Sequence, residues 1–514
     1  MTTNHPQQES GFAKKKDYLI ACLFLLIFVA SYSLTPLFTS NQNQYFLHGM
    51  AQAGLGSLDQ DWLANTADPA PVFTAIVKWT YLLLKSNIWF HIYYIAILAL
   101  YFFSLLKINL KLFGEQTERK NILVTAIVII LGNSYLLRYA LMHFINPSWG
   151  FLLDGGVADQ KILGTVLQPS IFGVLFITSL FFFLLHKPYL AVLMASLAAV
   201  FHPTYLLSAA ILVFSYLLET VYESRNLKKA FLLGIAALVF VAPIVLYVFS
   251  NFSDLTRPND AASILVNIRI PHHALIREWF DFSAIIRVAL IVLGILAIWK
   301  EKKISIPLLV MFIFSLSLTL LQAVINNDQL ALMFPWRISA LLVPVCSTIA
   351  LSKLAFVMLD RIKTGSAKKI LLGGAIALLA LAACFGIYRS VALFKEKAAN
   401  TESGLIAWVT ETSTDKDNFL IPIGLETFRT ATLRPAYVDF FSIPYASQDV
   451  VDWYHRVLSA NKYYEDGDCD ELYNIRHDYK ITHIVTESRD PQTVCKNMHL
   501  VYADEAYTVY RYGK

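Results

Sequence analysis

Charge is nearly absent from a series of long stretches in this chain, and that fact limits its fold more than any other. A bilayer core of about 30 Å takes roughly 20 apolar helical residues to cross. The sequence supplies such runs at residues 18–38, 88–106, 122–141, 166–185, 189–201, 205–218, 230–249, 284–299, 304–325, 338–359 and 370–388. Hydrophobic residues make up 56% of the 514 and charged residues only 15%, so the chain cannot be read as three ordinary soluble domains. The expectation is an α-helical polytopic membrane protein with about eleven transmembrane helices. The pair flanking His202-Pro203 is short, and reads either as two thin spans or as one kinked helix.

Cations set the orientation. The first run follows Lys14, Lys15 and Lys16 and carries no small-residue cleavage site, so it reads as an uncleaved span. Alternation from a cytoplasmic N-terminus places Lys107, Lys111, Arg119 and Lys120 inside, then Lys187, then Arg225, Lys228 and Lys229. Lys300, Lys302 and Lys303, and finally Arg361, Lys363, Lys368 and Lys369, fall on the same side, as the positive-inside rule requires. The net charge of +5 is therefore topological, and no nucleic-acid partner is expected. The division predicted is a cytoplasmic tail (1–17), a transmembrane domain (18–390) with outer loops at 39–87, 142–165 and 250–283, and an extracytoplasmic domain (391–514). The setting expected is a bacterial cytoplasmic (inner) membrane.

From Thr401 the composition becomes that of a soluble protein. Short β-rich runs at 419–423, 436–441, 481–486 and 506–511 alternate with helical stretches such as 448–458, which points to a small α/β domain. Cys469 and Cys495 are the two cysteines of this exported part and are expected to form a disulfide. Cys22, Cys346 and Cys384 lie in spans and read as small core residues. No internal repeat supports an inverted-repeat transporter, and no phosphate-binding glycine loop is present.

The first outer loop contains Asp59-Gln60-Asp61-Trp62-Leu63-Ala64-Asn65-Thr66 and then Asp68-Pro69. Asp59 and Asp61, two residues apart, can hold a divalent cation, Mg²⁺ or Mn²⁺, or take a proton from a sugar hydroxyl. Against this stands a bland reading in which Asp59 and Asp68 cap helices and Asp61 is solvated. In Arg269-Ile270-Pro271-His272-His273 the adjacent histidines can shuttle a proton, but neighbours point apart and rarely serve one ion. Arg138, Arg287 and Arg337 fall near the outer ends of spans, where a guanidinium either snorkels or meets an anion such as a lipid phosphate. His143, Asp154, Asp159 and His202 are further candidates, each more readily structural when taken alone.

Together the acidic first outer loop, the span number, His-Pro in a central span and a terminal α/β domain resemble the GT-C superfamily of membrane glycosyltransferases. Asp59 to Asp68-Pro69, Arg269 to His273, Arg434-Pro435 through Val438-Asp439-Phe440 and Asp452-Trp453-Tyr454 resemble, more closely, an uncharacterised group of bacterial membrane proteins of that layout. The resemblance implies transfer of a sugar from a polyprenyl-phosphate carrier in the membrane lipid to an acceptor on the outer face. Asp59 or Asp61 would be base or metal ligand, Arg337 or Arg138 would neutralise the departing lipid phosphate, and Arg269, His272 and His273 would line the same site. Trp453 and Tyr454 would help position the acceptor. Gln60 interrupts the acidic pair, which leaves metal dependence open. The competing classes are a transporter or flippase for a lipid-linked or small polar substrate, and a non-enzymatic assembly protein. The apolar mid-depth of the spans, with charges at the rim, favours interfacial chemistry.

Overall fold

The computed structural model describes residues 7–113, 119–252, 258–488 and 494–513. Each apolar run is helical, and the chain is a multi-pass membrane protein. In the first half the helices are α1 (Gln7–Tyr32), α2 (Gln42–Gln52), α3 (Pro71–Trp79), α4 (Ile88–Phe113), α5 (Arg119–Gly132), α6 (Tyr135–Phe144), α7 (Val174–Leu184), α8 (Pro188–Phe201), α9 (Leu206–Ser224) and α10 (Leu227–Phe252). The next loop carries short helices α11 (Pro258–Ile264), α12 (Pro271–Ala274) and α13 (Ile276–Trp279). Then come α14 (Phe282–Ala297), α15 (Lys302–Ile325), α16 (Asp328–Leu332), α17 (Ser339–Arg361) and α18 (Gly365–Ala398).

Among the described residues, 6 helices are long and apolar enough to cross a membrane, or 7 if the bent pair α5 and α6 is one span. Four more of the expected spans appear as apolar helices of 10–17 residues, including Leu19–Tyr32 and Phe282–Ala297. The pair bends by 45° at Asn133-Ser134. There the Asn133 amide turns back to the Ile129 carbonyl while Ser134 caps α6 by accepting from Leu137 N–H. His202-Pro203 separates two distinct helices, α8 and α9.

The expected span 166–185 begins late, because residues 150–168 run as irregular, mostly buried backbone. Buried irregular backbone is tolerated only if its polar groups find partners, and here side chains from other elements supply them. Tyr32 Oη donates to Leu163 O, Tyr94 Oη to Gly164 O, Thr35 Oγ1 to Thr165 O, Gln42 Nε2 to Leu167 O and Ser347 Oγ to Leu153 O. Ser339 Oγ accepts from Val157 N–H. At Gly156 a Cβ would overlap Ser339 and the Ala340 backbone, so only glycine lets the loop lie against the start of α17.

The C-terminal part contains α19 (Ser403–Thr412), α20 (Phe428–Thr432), α21 (Ser447–Asp466) and α22 (Cys469–Tyr479). These surround a 4-stranded sheet of β1 (Phe419–Leu420), β2 (His483–Glu487), β3 (Met498–Ala503) and β4 (Tyr507–Tyr512), ordered β1-β2-β4-β3. β1 pairs parallel with β2, and the other pairings are antiparallel. Cys469 and Cys495 are disulfide-bonded.

Two local expectations differ. Residues 436–441 form no strand beyond one bridge, Phe419 to Ala436: Tyr437 N–H reaches Phe419 O and Phe440 N–H reaches Ile423 O, but carboxylates take the N–H groups on either side. Asp61 accepts from Ala436 N–H, and Asp439 from Phe441 and Ser442 N–H. The strand Met498–Ala503 was not expected, since its burial does not alternate cleanly.

Candidate functional site

Asp61 lies at the centre of the junction between the first outer loop and the C-terminal domain. The turn Leu58–Gln60 and the turn Leu63–Asn65 flank it, and its Oδ1 accepts from Leu63 N–H (2.9 Å) and Ala64 N–H (3.2 Å). Its Oδ2 accepts from Arg429 Nε (2.7 Å) and Ala436 N–H (3.0 Å). Arg429 Nη1 bonds Asp439, and Nη2 donates to Ala436 O (2.8 Å). Asp61, Arg429 and Asp439 are all essentially inaccessible. Burial pulls against the charge on Arg429, but Asp61 and Asp439 outweigh it and raise its pKa. Nearby, Ser57 N–H donates to Leu433 O (3.1 Å), and a Cβ on Gly56 would overlap that same carbonyl. Asp61 is thus a clasp with both oxygens fully engaged, and no lone pair remains for a metal or a substrate proton.

Asp59 faces solvent, and only its backbone carbonyl is engaged, by the Asn65 amide. The pair is split between surface and interior, so it does not fit a divalent cation. Among the described residues no group of 3 or more His, Cys, Asp or Glu side chains fits one either. Arg138 is also committed elsewhere: it pairs with Asp154 at 2.6 Å, both nearly inaccessible, between the rings of Tyr32 and Phe151. Arg287 bonds Ser283 at the start of α14.

The remaining sequence candidates converge. Arg337 sits on the turn Pro335–Ile338 that precedes α17. Its Nε donates to Gln160 Oε1 (2.8 Å), it bonds Thr204 Oγ1, and its Cζ lies 4.5 Å from the Phe334 ring. No carboxylate among the described residues pairs with it; its electrostatic neighbours are Tyr45, Tyr205 and Tyr445. Tyr45 from α2 and Tyr445 from the C-terminal domain share a hydrogen bond of 3.0 Å. His202, buried with no partner at Nδ1, packs edge-on to Tyr45 and Tyr205.

Arg269 comes from the turn Leu265–Arg269, which follows α11. Its Nη2 donates to Phe441 O (2.7 Å), it lies over Phe440 and Phe441, and Nε is buried without a partner. Burial pushes its pKa down, while Tyr445, Asp439, Glu426 and Tyr45 act in the other direction. The rings of His272 and His273 stand 4.1 Å apart, and His273 Nδ1 meets Ala158 O at 2.7 Å. Burial first, then His272, lowers His273 to about 4, and burial lowers His272 as well. At neutral pH the cluster is therefore two guanidiniums, neutral imidazoles and tyrosine hydroxyls, a set built from donors and suited to an anion.

Glu426 is the carboxylate of this cleft. It is half-buried, no hydrogen bond or ion pair holds its side chain among the described residues, and Arg269 and Lys397 are its cationic neighbours. Burial, with help from Asp439 and Glu402, raises its pKa. Lys397, near the end of α18, is fixed by donating to Phe38 O (2.7 Å).

An apolar cavity of about 840 Å³ runs between α8, α9 and α10. Leu206, two residues after the Thr204 that holds Arg337, lines it, as do Val213, Leu217, Val241 and Val245. Only 11% of the most apolar window of α10 is buried by protein, so the cavity's outer wall faces lipid.

The sequence offered Arg269, His272 and His273 from a loop motif and Arg337 from the span ends. It did not point to Glu426, Gln160 and Tyr445, which carry no local motif and reach the cleft only through long-range packing.

The sequence at residues 401–460 matches the model of DUF6798, a domain of unknown function. No curated protein sequence matches the chain. Among solved structures it is similar to ArnT from Cupriavidus metallidurans bound to undecaprenyl phosphate, at 13% identity and TM-score 0.49 over 96% of this chain and 97% of that one. It is also similar to the archaeal oligosaccharyltransferase AglB from Archaeoglobus fulgidus, in complex with an inhibitory peptide and a dolichol-phosphate. There identity is 11% and the TM-score 0.46, over 93% of this chain and 70% of that one. Likeness at those values carries no functional weight, which rests on the cleft itself.

Proposed function

We propose that the protein is a membrane glycosyltransferase that moves a sugar from a polyprenyl-phosphate carrier to an acceptor on the outer face of a bacterial inner membrane. The observation that carries this reading is Arg337. A guanidinium without an acid, held by Gln160 and by Thr204, two residues before the Leu206 that lines an 840 Å³ apolar cavity, suits a ligand with an anionic head and a long apolar tail.

The chemistry follows from the cleft. Glu426, its pKa raised, takes the proton from the acceptor hydroxyl. The acceptor oxygen bonds to the anomeric carbon as the bond from that carbon to the phosphate oxygen breaks. The electron pair leaves on the polyprenyl phosphate, whose charge Arg337 and Arg269 stabilise in a partly dry site. The neutral His272 can donate a hydrogen bond without adding charge that would hold the product, while His273 spends its one N–H on Ala158 O. Asp59 and Asp61 play no part in these steps.

The test is binding of undecaprenyl phosphate to the protein in nanodiscs, followed by transfer from labelled polyprenyl-phosphate sugars. Binding that Arg337→Ala weakens, with transfer that Glu426→Gln abolishes, supports the reading. Carrier binding without transfer across a broad donor panel would move the assignment to a lipid-linked substrate transporter.

A further inference from the structure

The C-terminal domain contains a second pocket, of about 260 Å³, lying between α21 and α22. The side chains lining it from α21 include Asp452, Arg456 and Ser459, and those from α22 include Glu471, Asn474 and Asp478. Within each helix these positions are spaced at three, four or seven residues, so they form one stripe along one face. When two helices merely pack, the facing stripes are apolar and close on each other. Here both are polar along this stretch, and they stand open.

Arg456 is the informative member. It is 9% exposed and pairs with no carboxylate, and Nη1 makes its single hydrogen bond among the described residues, 3.3 Å to Tyr437 O. Its Nε and Nη2 are left unused in a pocket wall. The guanidinium is held flat between Trp62 and Tyr479, with Cζ 4.2 Å and 4.1 Å from the two rings. A buried guanidinium with free donors is costly unless something accepts from it.

The rest of the wall narrows what that is. Asp452, Glu471 and Asp478 each have one oxygen engaged, by Gln448 Nε2, Lys462 Nζ and His477 Nδ1 respectively, and each keeps the other free. Asn474 has its whole amide free among the described residues. Three carboxylates against one guanidinium oppose an anion, while the guanidinium opposes a simple cation. A neutral ligand that both donates and accepts at many points satisfies both sides at once, and that is the chemistry of a saccharide. The volume, near the roughly 300 Å³ low end for small-molecule pockets, suits one or two sugar rings, and Tyr437 and Tyr479 supply aromatic surface.

We infer that this pocket binds a neutral saccharide, one unit of the acceptor, through Arg456, Asn474 and the carboxylates of Asp452, Glu471 and Asp478. Its place as an acceptor anchor rests on the transferase reading, whereas saccharide binding itself does not. The pocket is joined to the clasp: Trp62, whose ring lies against Arg456, follows Asp61.

The experiment is saturation-transfer NMR on the full chain in nanodiscs, with maltose, chitobiose, anionic sialyllactose and a capped neutral hexapeptide as probes. Expected is transfer to a neutral disaccharide, weakened about tenfold or more by Asn474→Ala and by Asp452→Ala, as loss of one or two hydrogen bonds predicts. Arg337→Ala should leave this binding intact, and Asn474→Ala should leave undecaprenyl phosphate binding intact. No transfer to either neutral disaccharide, equal transfer in wild type and variants, or binding of the peptide or the anion alone would overturn the assignment. If wild type binds the disaccharide but not the carrier, the transferase reading falls while the saccharide site stands.

Discussion

Arg429 and Arg337 are both drawn out of bulk water, yet they live in opposite company. Arg429 lies between Asp61 and Asp439 with each of its three nitrogens bonded, and Arg337 has an amide, a hydroxyl and aromatic rings but no acid among the described residues. A buried cation with its counter-charges supplied by the chain is a fastening. One left without them is waiting for an anion from outside. The same contrast separates Arg138, paired with Asp154, from Arg269, which pairs with no carboxylate among the described residues and donates to the Phe441 carbonyl.

The sharpest way to break this comparison is at the clasp. Asp61→Asn leaves Arg429 with one carboxylate fewer in a closed site and should cost about 3–5 kcal/mol, read as a lower unfolding midpoint in detergent. If Asp61→Asn folds as wild type but transfers no sugar, the clasp and the site have been assigned the wrong way round. Glu426→Gln should do the opposite, slowing transfer by roughly a hundredfold or more with little change in stability.

Glu426 also sets a pH dependence. Its pKa is higher folded than unfolded, so the folded state binds the proton more tightly. Transfer should rise with pH through that raised value as the base becomes available. Across the window between the unfolded and folded values, stability should fall slightly. A rate profile flat from pH 4 to 8 would remove Glu426 as the base.

At the anion cluster, Arg337→Ala should weaken undecaprenyl phosphate binding by about 2 kcal/mol, roughly thirtyfold, without lowering stability, since no partner acid is orphaned. The smallest effect belongs to Asp59→Asn, exposed and unpaired, which should lie within about 0.5 kcal/mol of wild type in stability and leave transfer unchanged.

The membrane-spanning organisation was legible because a bilayer demands length and apolarity from each helix separately, and each requirement is written locally. Arg337 was legible for a related reason, since cations at a membrane rim stand out against apolar neighbours, and Arg269, His272 and His273 were legible as a loop motif. Asp61 was not, because what defines it is Arg429, 368 residues away in sequence. The bland local reading left it in solvent, whereas it is buried and accepts from Leu63 and Ala64 N–H. Glu426 is an ordinary acid in an ordinary turn until folding places it by Arg269 and Lys397. Residues 436–441 have a strand's composition, but after Tyr437 N–H meets Phe419 O the ladder does not continue, and carboxylates take the N–H groups of Ala436 and Phe441.

The clasp has a consequence for the order in which this molecule comes into being. Asp61 emerges from the ribosome early, whereas its partner Arg429 is made only after every apolar helix has been synthesised. Until then the first loop carries a carboxylate that belongs in a dry junction but has no cation to meet. A chain interrupted before the C-terminal domain keeps that loop open to proteases and leaves Tyr45 without Tyr445. Completion of translation is thereby coupled to completion of the cleft, and a partly made protein presents no finished site.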